Sequence, residues 1–251
     1  YEELKTYSQF RSTSNGEAFF LEFLKGRFSE HGDYYTVHKN GLIECALLHD
    51  KKVTNPYLFC VHTDRVEFCG KSAINTIWTD DEFVHGQLDD ILGIAIVKYL
   101  LVMGYPISVL FTTKEEISQS PEQIISMLGF LRHSSRALQV ISIDVDEFRH
   151  DKEFERGEIT LRDTDGTGFM DLDLVYYLRD KATENKIPFT KNEVGRVISE
   201  AGLVNSFTNG EISGAHVGIP ITNYHSLDEK ARWTSIKSVA ELLTHFLHKS
   251  T

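Results

Sequence analysis

The chain has 251 residues, 41% of them hydrophobic and 25% charged, with a formal net charge of −11 at pH 7. That length fits one large α/β domain or two small ones around a substantial core, and the charge argues against a nucleic-acid partner or an anionic membrane surface. No apolar run approaches the ~20 residues of a membrane-spanning helix, and the three cysteines, Cys45, Cys60 and Cys69, form no Cys-x-x-Cys pair. An odd, scattered set predicts reduced thiols in a cytoplasmic compartment.

In chain order, Glu17–Phe28 places Phe19, Phe20, Phe23, Leu24 and Phe28 at helical spacing, which predicts an amphipathic helix. Tyr34–His38 and Leu42–His49 flank Asn40-Gly41, a two-residue hairpin signal. Tyr57–Val61 is a short apolar run that ends at His62-Thr63-Asp64, and strands are expected around Ala73–Trp78 and Glu82–Val84. His85 falls in the loop after them. Asp89-Asp90-Ile91-Leu92-Gly93 opens a second helix that Gly104 closes.

Ile107–Phe111 combines β-branched and large apolar residues, as suits a strand buried on both faces, and Glu115-Glu116 follows shortly after it. Ser120-Pro121-Glu122 starts a helix. Leu138–Ile143 is a third apolar run, ending at Asp144; Glu158–Arg162 reads as a strand and Asp163–Gly168 as a turn. Leu172–Asn185 is a helix, Ile198–Val204 is ambiguous, Ile219–Tyr224 is a strand and Ser235–His248 a terminal helix. Strands alternating with helices predict an α/β fold, a mostly parallel central sheet with helices on both faces.

Three apolar runs thus lead into potential ligands: His62 and Asp64, Glu115 and Glu116, and Asp144. The carboxyl ends of parallel strands gather along one sheet edge, where ligands bind. Asp89, at a helix start, adds a carboxylate favoured by the helix dipole. A late His would complete a nitrogen and oxygen set suited to zinc. Each part has a bland alternative: a surface His-Asp pair, a helix-capping Asp, a solvated acidic turn. Asp146 competes with Asp144, since residues two apart on a strand share a face. His216 likewise competes with His225.

His62-Thr63-Asp64, Asp89-Asp90-x-x-Gly93, Glu115-Glu116, Asp144 in Ile-Asp-Val and His225 in Tyr-His-Ser resemble the five-part signature of the co-catalytic di-zinc peptidases. That superfamily includes the leucyl-type and tetrahedral aminopeptidases and the glutamate carboxypeptidases. Gly218-Ile219-Pro220, His225-Ser226 and Glu229 are most similar to the tetrahedral aminopeptidase branch. That branch inserts a domain between the His-x-Asp motif and the bridging Asp. Here His62 and Asp89 are only 27 positions apart, and the stretch from Asp144 to His225 leaves no room for a lid domain. The expectation is a single catalytic domain over residues 1–251, monomeric or a small homo-oligomer.

The resemblance implies a zinc-aminopeptidase-like (phosphorylase/hydrolase-like) fold and two divalent metal ions, zinc or else cobalt or manganese. Asp89 would bridge them, His62 and Asp144 would complete one site, and Glu116 and His225 the other. Asp64 would orient the His62 imidazole, and Glu115 would be the general base toward a metal-bridging water. It also implies a cis peptide between Asp89 and Asp90. Asp144 is preferred over Asp146, and His225 over His216, because they match that pattern. The implied activity is an aminopeptidase acting on short peptides. The alternatives are a deacylase or other amide hydrolase, a one-zinc cyclase of the same fold, or a non-catalytic binding scaffold.

Overall fold

The computed structural model describes residues 1–10, 12–40, 42–66, 77–131, 139–148, 154–191 and 198–248. After a short α1 (Glu2–Tyr7) and α2 (Ala18–Phe28), β1 (Asp33–Lys39) and β2 (Leu42–His49) pair antiparallel. Asn40 takes the left-handed φ of 53° that the hairpin signal requires, and Gly41 beside it lies outside the described residues. β3 (Tyr57–His62), β4 (Trp78–Thr79) and β5 (Phe83–Gly86) precede α3 (Ile91–Val102), β6 (Ser108–Thr112), a 3-10 turn (Glu115–Ile117) and α4 (Pro121–Leu131). Then come β7 (Gln139–Glu147), β8 (Ile159–Leu161), a small β9–β10 hairpin (Thr164–Asp165, Gly168–Phe169), α5 (Leu172–Glu184) and β11 (Phe189–Thr190). The chain finishes with α6 (Glu200–Phe207), β12 (Gly214–Thr222), β13 (Glu229–Arg232) and α7 (Trp233–His248).

The main sheet runs β1-β2-β6-β3-β7-β12-β13-β5-β4, with β8 also against β12 and β11 against β8. The four central strands, β6, β3, β7 and β12, are parallel, and antiparallel strands extend both margins. Their runs, Val109-Leu110-Phe111, Leu58-Phe59-Cys60-Val61 and Val140-Ile141, are fully buried, as expected of strands covered on both faces. α3 packs on β3 and β7 and also against α1 and α7. That double burial explains why its apolar residues go all the way round, from Ile91 to Leu101. α7 instead buries one stripe, Ile236, Val239, Leu242, Leu243 and Phe246, at helical spacing. α6 packs on β12, β7 and α4. Among the described residues no helix is long and apolar enough to cross a membrane.

Several expectations need adjusting. The strand expected around Ala73–Trp78 falls largely outside the described residues, and only Trp78–Thr79 is seen as strand. His85 is not in a loop but in β5, paired with Lys230 and Trp78. The ambiguous Ile198–Val204 resolves as the start of α6, capped by Ser199, whose side chain accepts the Gly202 amide. β12 begins at Gly214, ahead of the expected Ile219. Its glycines look like strand breakers but are required: a Cβ on Gly218 would collide with Thr160 Oγ1 and the Asp146 carboxylate.

Candidate active site

Register brings the site together. Cys60 on β3 pairs with Ser142 on β7, so His62 and Asp144 come level two residues further on. His62 also pairs with Thr112, the last residue of β6. Just past β6, the chain passes through Lys114 at φ 60° into the 3-10 turn that carries Glu115 and Glu116. From the opposite margin, β13 pairs Glu229 with Gly86, which sets the Gln87–Asp90 segment beside the strand ends.

The result is a knot of imidazoles and carboxylates. His62 Nε2 lies 2.8 Å from Asp89 Oδ1 and 3.4 Å from Asp144 Oδ1. His225 Nε2 lies 3.5 Å from Asp89 Oδ2 and 3.2 Å from Glu116 Oε2. Asp89 therefore stands between two groups, His62 with Asp144 and His225 with Glu116. The structure brings all five of these side chains together, and the Asp89–Asp90 peptide is cis. Asp144 is not at a strand end, however, because β7 runs on to Glu147.

Asp64 does more than orient an imidazole. His62 Nδ1 is 2.9 Å from the Asp64 backbone carbonyl and 3.6 Å from its carboxylate, so the carbonyl is the nearer partner. A carbonyl can only accept, which puts a proton on Nδ1 and directs Nε2 toward Asp89 and Asp144. The Asp64 carboxylate instead accepts the amides of Glu115 (2.9 Å) and Glu116 (3.2 Å), and so holds the acidic turn in place.

Two more carboxylates shape the Asp89 step. Asp90 caps α3 by accepting the Gly93 amide at 2.9 Å. A Cβ on Gly93 would run into that carboxylate, which accounts for the glycine in the motif. Glu229 Oε2 accepts the amides of Leu88 (2.5 Å) and Asp89 (3.2 Å). This anchoring role has no local sequence signature, since it depends on β13 lying against β5.

The electrostatics are those of a cluster short of positive charge. Burial pushes the Glu116 carboxyl up to about 7, helped by the Asp89 charge and opposed by His225. Burial, then Asp89, pushes Glu229 up to about 8. Burial holds Glu115 well above the usual carboxylate range; Asp144, Glu200 and Glu116 add to this, against His62. Burial works against a charged imidazole at both histidines, but the surrounding carboxylates outweigh it. They drive His62 upward and His225 to about 10. Among the described residues, Glu116 Oε1 and Asp90 Oδ2 have no hydrogen-bond partner.

Buried polar atoms without partners mark a position for something else to bind. His62, Asp89 and Glu116 each offer an atom within 4.8 Å of the others, and so do His62, Asp90 and Asp144. Imidazole nitrogens with carboxylate oxygens form a donor set that fits zinc, cobalt or manganese.

The two rival residues gather around Arg162, whose Nη2 lies 3.2 Å from His216 Nε2. Asp146 meets Arg162, whose Nε is 3.2 Å from Asp146 Oδ2, and His216 Nε2 is 3.3 Å from Asp146 Oδ1. Thr160 donates to the same carboxylate, and Ser142 Oγ lies 3.2 Å from His216 Nδ1. The Asp163–Gly168 turn is likewise internal in role. Asp165 accepts from Thr167 and from the Ser199 amide (2.9 Å) and hydroxyl (2.8 Å), tying the hairpin to the start of α6.

A comparison with protein families matches residues 69–242 to the M42 glutamyl aminopeptidases. The chain belongs to that family. It is therefore a metallo-aminopeptidase, a peptide hydrolase, and the matched span contains Asp89, Glu115, Glu116, Asp144 and His225. His62 and Asp64 precede the span, so their place in the site rests on the geometry above.

Among solved structures, the chain is similar to the aminopeptidase APDkam598 from the archaeon Desulfurococcus kamchatkensis. The identity is 12%, over 99% of this chain and 94% of that one, with a TM-score of 0.78. It is also similar to the TET aminopeptidase from the marine sediment archaeon Thaumarchaeota archaeon SCGC AB-539-E09. That match has 12% identity, covers 98% of this chain and 96% of the other, and has a TM-score of 0.79. Yeast aminopeptidase 1 matches at 11% identity over 99% and 96% of the two chains, with a TM-score of 0.65. At such identities the likeness is one of fold. No curated protein sequence matches.

Proposed function

We propose that this M42 family member is a di-zinc aminopeptidase that removes N-terminal residues from short peptides, with Glu115 as general base. The observation that carries this reading is the convergence of His62, Asp89, Glu116, Asp144 and His225, with buried Glu116 Oε1 left without a partner among the described residues. Asp89 would bridge two ions, with His62 and Asp144 on one side and Glu116 and His225 on the other. When bound, such ions supply charge that polarises a scissile carbonyl and makes a water acidic near neutral pH.

The protein's own groups then do the rest. Glu115 is absent from the close contacts that link the five, and burial, reinforced by nearby carboxylates, gives its carboxylate a high affinity for a proton. It takes the proton from the attacking water and returns it to the departing amine. Asp64 fixes the Glu115 backbone through its amide, and the Asp64 carbonyl fixes the His62 tautomer.

The same reading takes residues 1–251 as one catalytic domain, working as a monomer or small homo-oligomer in the cytoplasm. One structural neighbour, PhTET1, is a dodecamer, and another, Pyrococcus horikoshii TET1, can assemble into a tetrahedron or a large octahedral shell. The short His62–Asp89 interval is what separates this chain from that arrangement. Buried Cys45 and Cys60, both free, fit a reducing compartment. The deciding assay offers the zinc-loaded protein aminoacyl-anilides and their N-acetylated counterparts. Turnover of the free-amine substrates alone supports the proposal; turnover of the N-acylated ones alone makes the protein a deacylase; turnover of neither refutes hydrolysis.

A further inference from the structure

The turn that bears Glu115 and Glu116 has almost no regular structure to hold it. It is a single 3-10 turn between Lys114 (φ 60°) and Ser118 (φ 56°), both left-handed, an uncommon conformation for residues other than glycine. Side chains supply the support. On one flank Gln123 of α4 accepts the Thr113 amide and donates to the Thr113 carbonyl, both at 3.0 Å. On the other flank stands Asp64, whose carboxylate accepts the Glu115 and Glu116 amides.

Asp64 is in turn gripped by a segment remote in sequence. Ser14 donates its hydroxyl to Asp64 Oδ2 at 2.6 Å, a charge-assisted hydrogen bond. Three residues later Glu17, 3% exposed, accepts the Lys114 amide at 3.2 Å. Between them the chain turns tightly: Asn15 has φ 72° and the Gly16 amide donates to the Thr13 carbonyl at 2.7 Å. This turn sends both side chains toward the acidic loop. The segment is tied down just before it, where the Arg65 amide donates to the Ser12 carbonyl (2.8 Å) and Arg65 Nε to Ser12 Oγ (3.0 Å).

We propose that Ser14 and Glu17 are positioning residues for the reaction, a clamp from the N-terminal segment that sets where Glu115 and Glu116 stand. This rests on the roles proposed above for those two glutamates. Neither clamp residue touches the reacting groups; each acts through the backbone of the turn. Misplacing a catalytic group by about 1 Å costs on the order of 100-fold in rate. A loosened turn should therefore cost turnover well before it costs the fold.

The test compares disruptive with conservative substitutions. Ser14→Ala and Glu17→Ala remove the hydrogen-bonding groups; Ser14→Thr keeps a hydroxyl and Glu17→Gln keeps an accepting oxygen. We expect the alanine variants to lose about 10- to 100-fold in kcat with KM within about threefold, and the conservative variants to stay within about threefold of the parent. Hydrogen–deuterium exchange on the metal-free protein gives a second readout. It should quicken over residues 110–119 in the alanine variants and stay unchanged over 139–147. Parental kcat with parental exchange in both alanine variants overturns the inference. So does faster exchange throughout the sheet with the conservative variants equally impaired, which is plain loss of fold. If the parent cleaves no peptide, the proposed function falls, and the exchange experiment alone decides the clamp.

Discussion

Two Asp–His clusters sit side by side on β7 and end in opposite electrostatic states. Asp146 and His216, each 1% exposed, share their pocket with Arg162, equally buried. The guanidinium supplies the positive charge, Thr160 and Ser142 supply hydrogen bonds, and burial together with Arg162 pushes His216 down to about 3. One residue pair earlier on the same strand face, Asp144 joins His62, Asp89, Glu116 and His225 with no arginine or lysine among them. There the imidazoles are pushed up instead. The residue types are the same. Among the described residues, what differs is a built-in cation, and the cluster that lacks one is the cluster suited to take ions from outside.

The largest expected effect comes from the group that handles protons. Glu115→Gln should lower kcat about 1,000-fold, within the range general-base catalysis supplies, while the zinc content by atomic absorption stays at the parental level. Parental turnover in that variant would remove Glu115 from the mechanism.

Breaking the other cluster should cost stability rather than bind metal. Arg162→Met leaves Asp146 buried and unpaired, for which about 3–5 kcal/mol is expected in urea unfolding. Adding Asp146→Leu should recover most of that loss, since the uncompensated charge goes with it. An Arg162→Met protein as stable as the parent would mean that the guanidinium does not balance this cluster.

A smaller effect concerns Glu200, 2% exposed at the start of α6. Burial raises its carboxyl from 4.5 to about 7, with His62 and nearby hydroxyls opposing. The folded chain thus keeps a proton that the unfolded chain gives up. The corresponding stability is fully present below pH 4.5 and is lost as pH rises through about 7. In chelator-treated protein, the unfolding free energy of the parent relative to Glu200→Gln should fall by about 3 kcal/mol between pH 4.5 and 7.5. A pH-independent difference would show that Glu200 ionises normally.

The clusters also mark how far the sequence could be read. The convergence of His62, Asp89, Glu115, Glu116, Asp144 and His225 could be expected because each lies in a short contiguous motif, and the topology gathers those motifs from strand ends, turns and, for Asp144, the interior of β7. Asp144 and Asp146 could not be separated by strand periodicity, because both point to one face. Only the arrival of Arg162, just past β8, and of His216 on β12 divides them. β13 has no apolar run to announce it, and although Glu229 was named within the resemblance, its role, 1% exposed and anchoring the Asp89 backbone, depends on β13 lying against β5. The links from Ser14 to Asp64 and from Glu17 to Lys114 span 50 and 97 positions, a coupling that no local pattern encodes.

The central claim is best tested by zinc-edge anomalous diffraction from crystals grown without chelator. The account predicts two peaks per chain, one bounded by His62, Asp89 and Asp144 and the other by Asp89, Glu116 and His225, with none beside Asp146 and His216. An absence of density among those five side chains, or a peak at Asp146 instead, would contradict it.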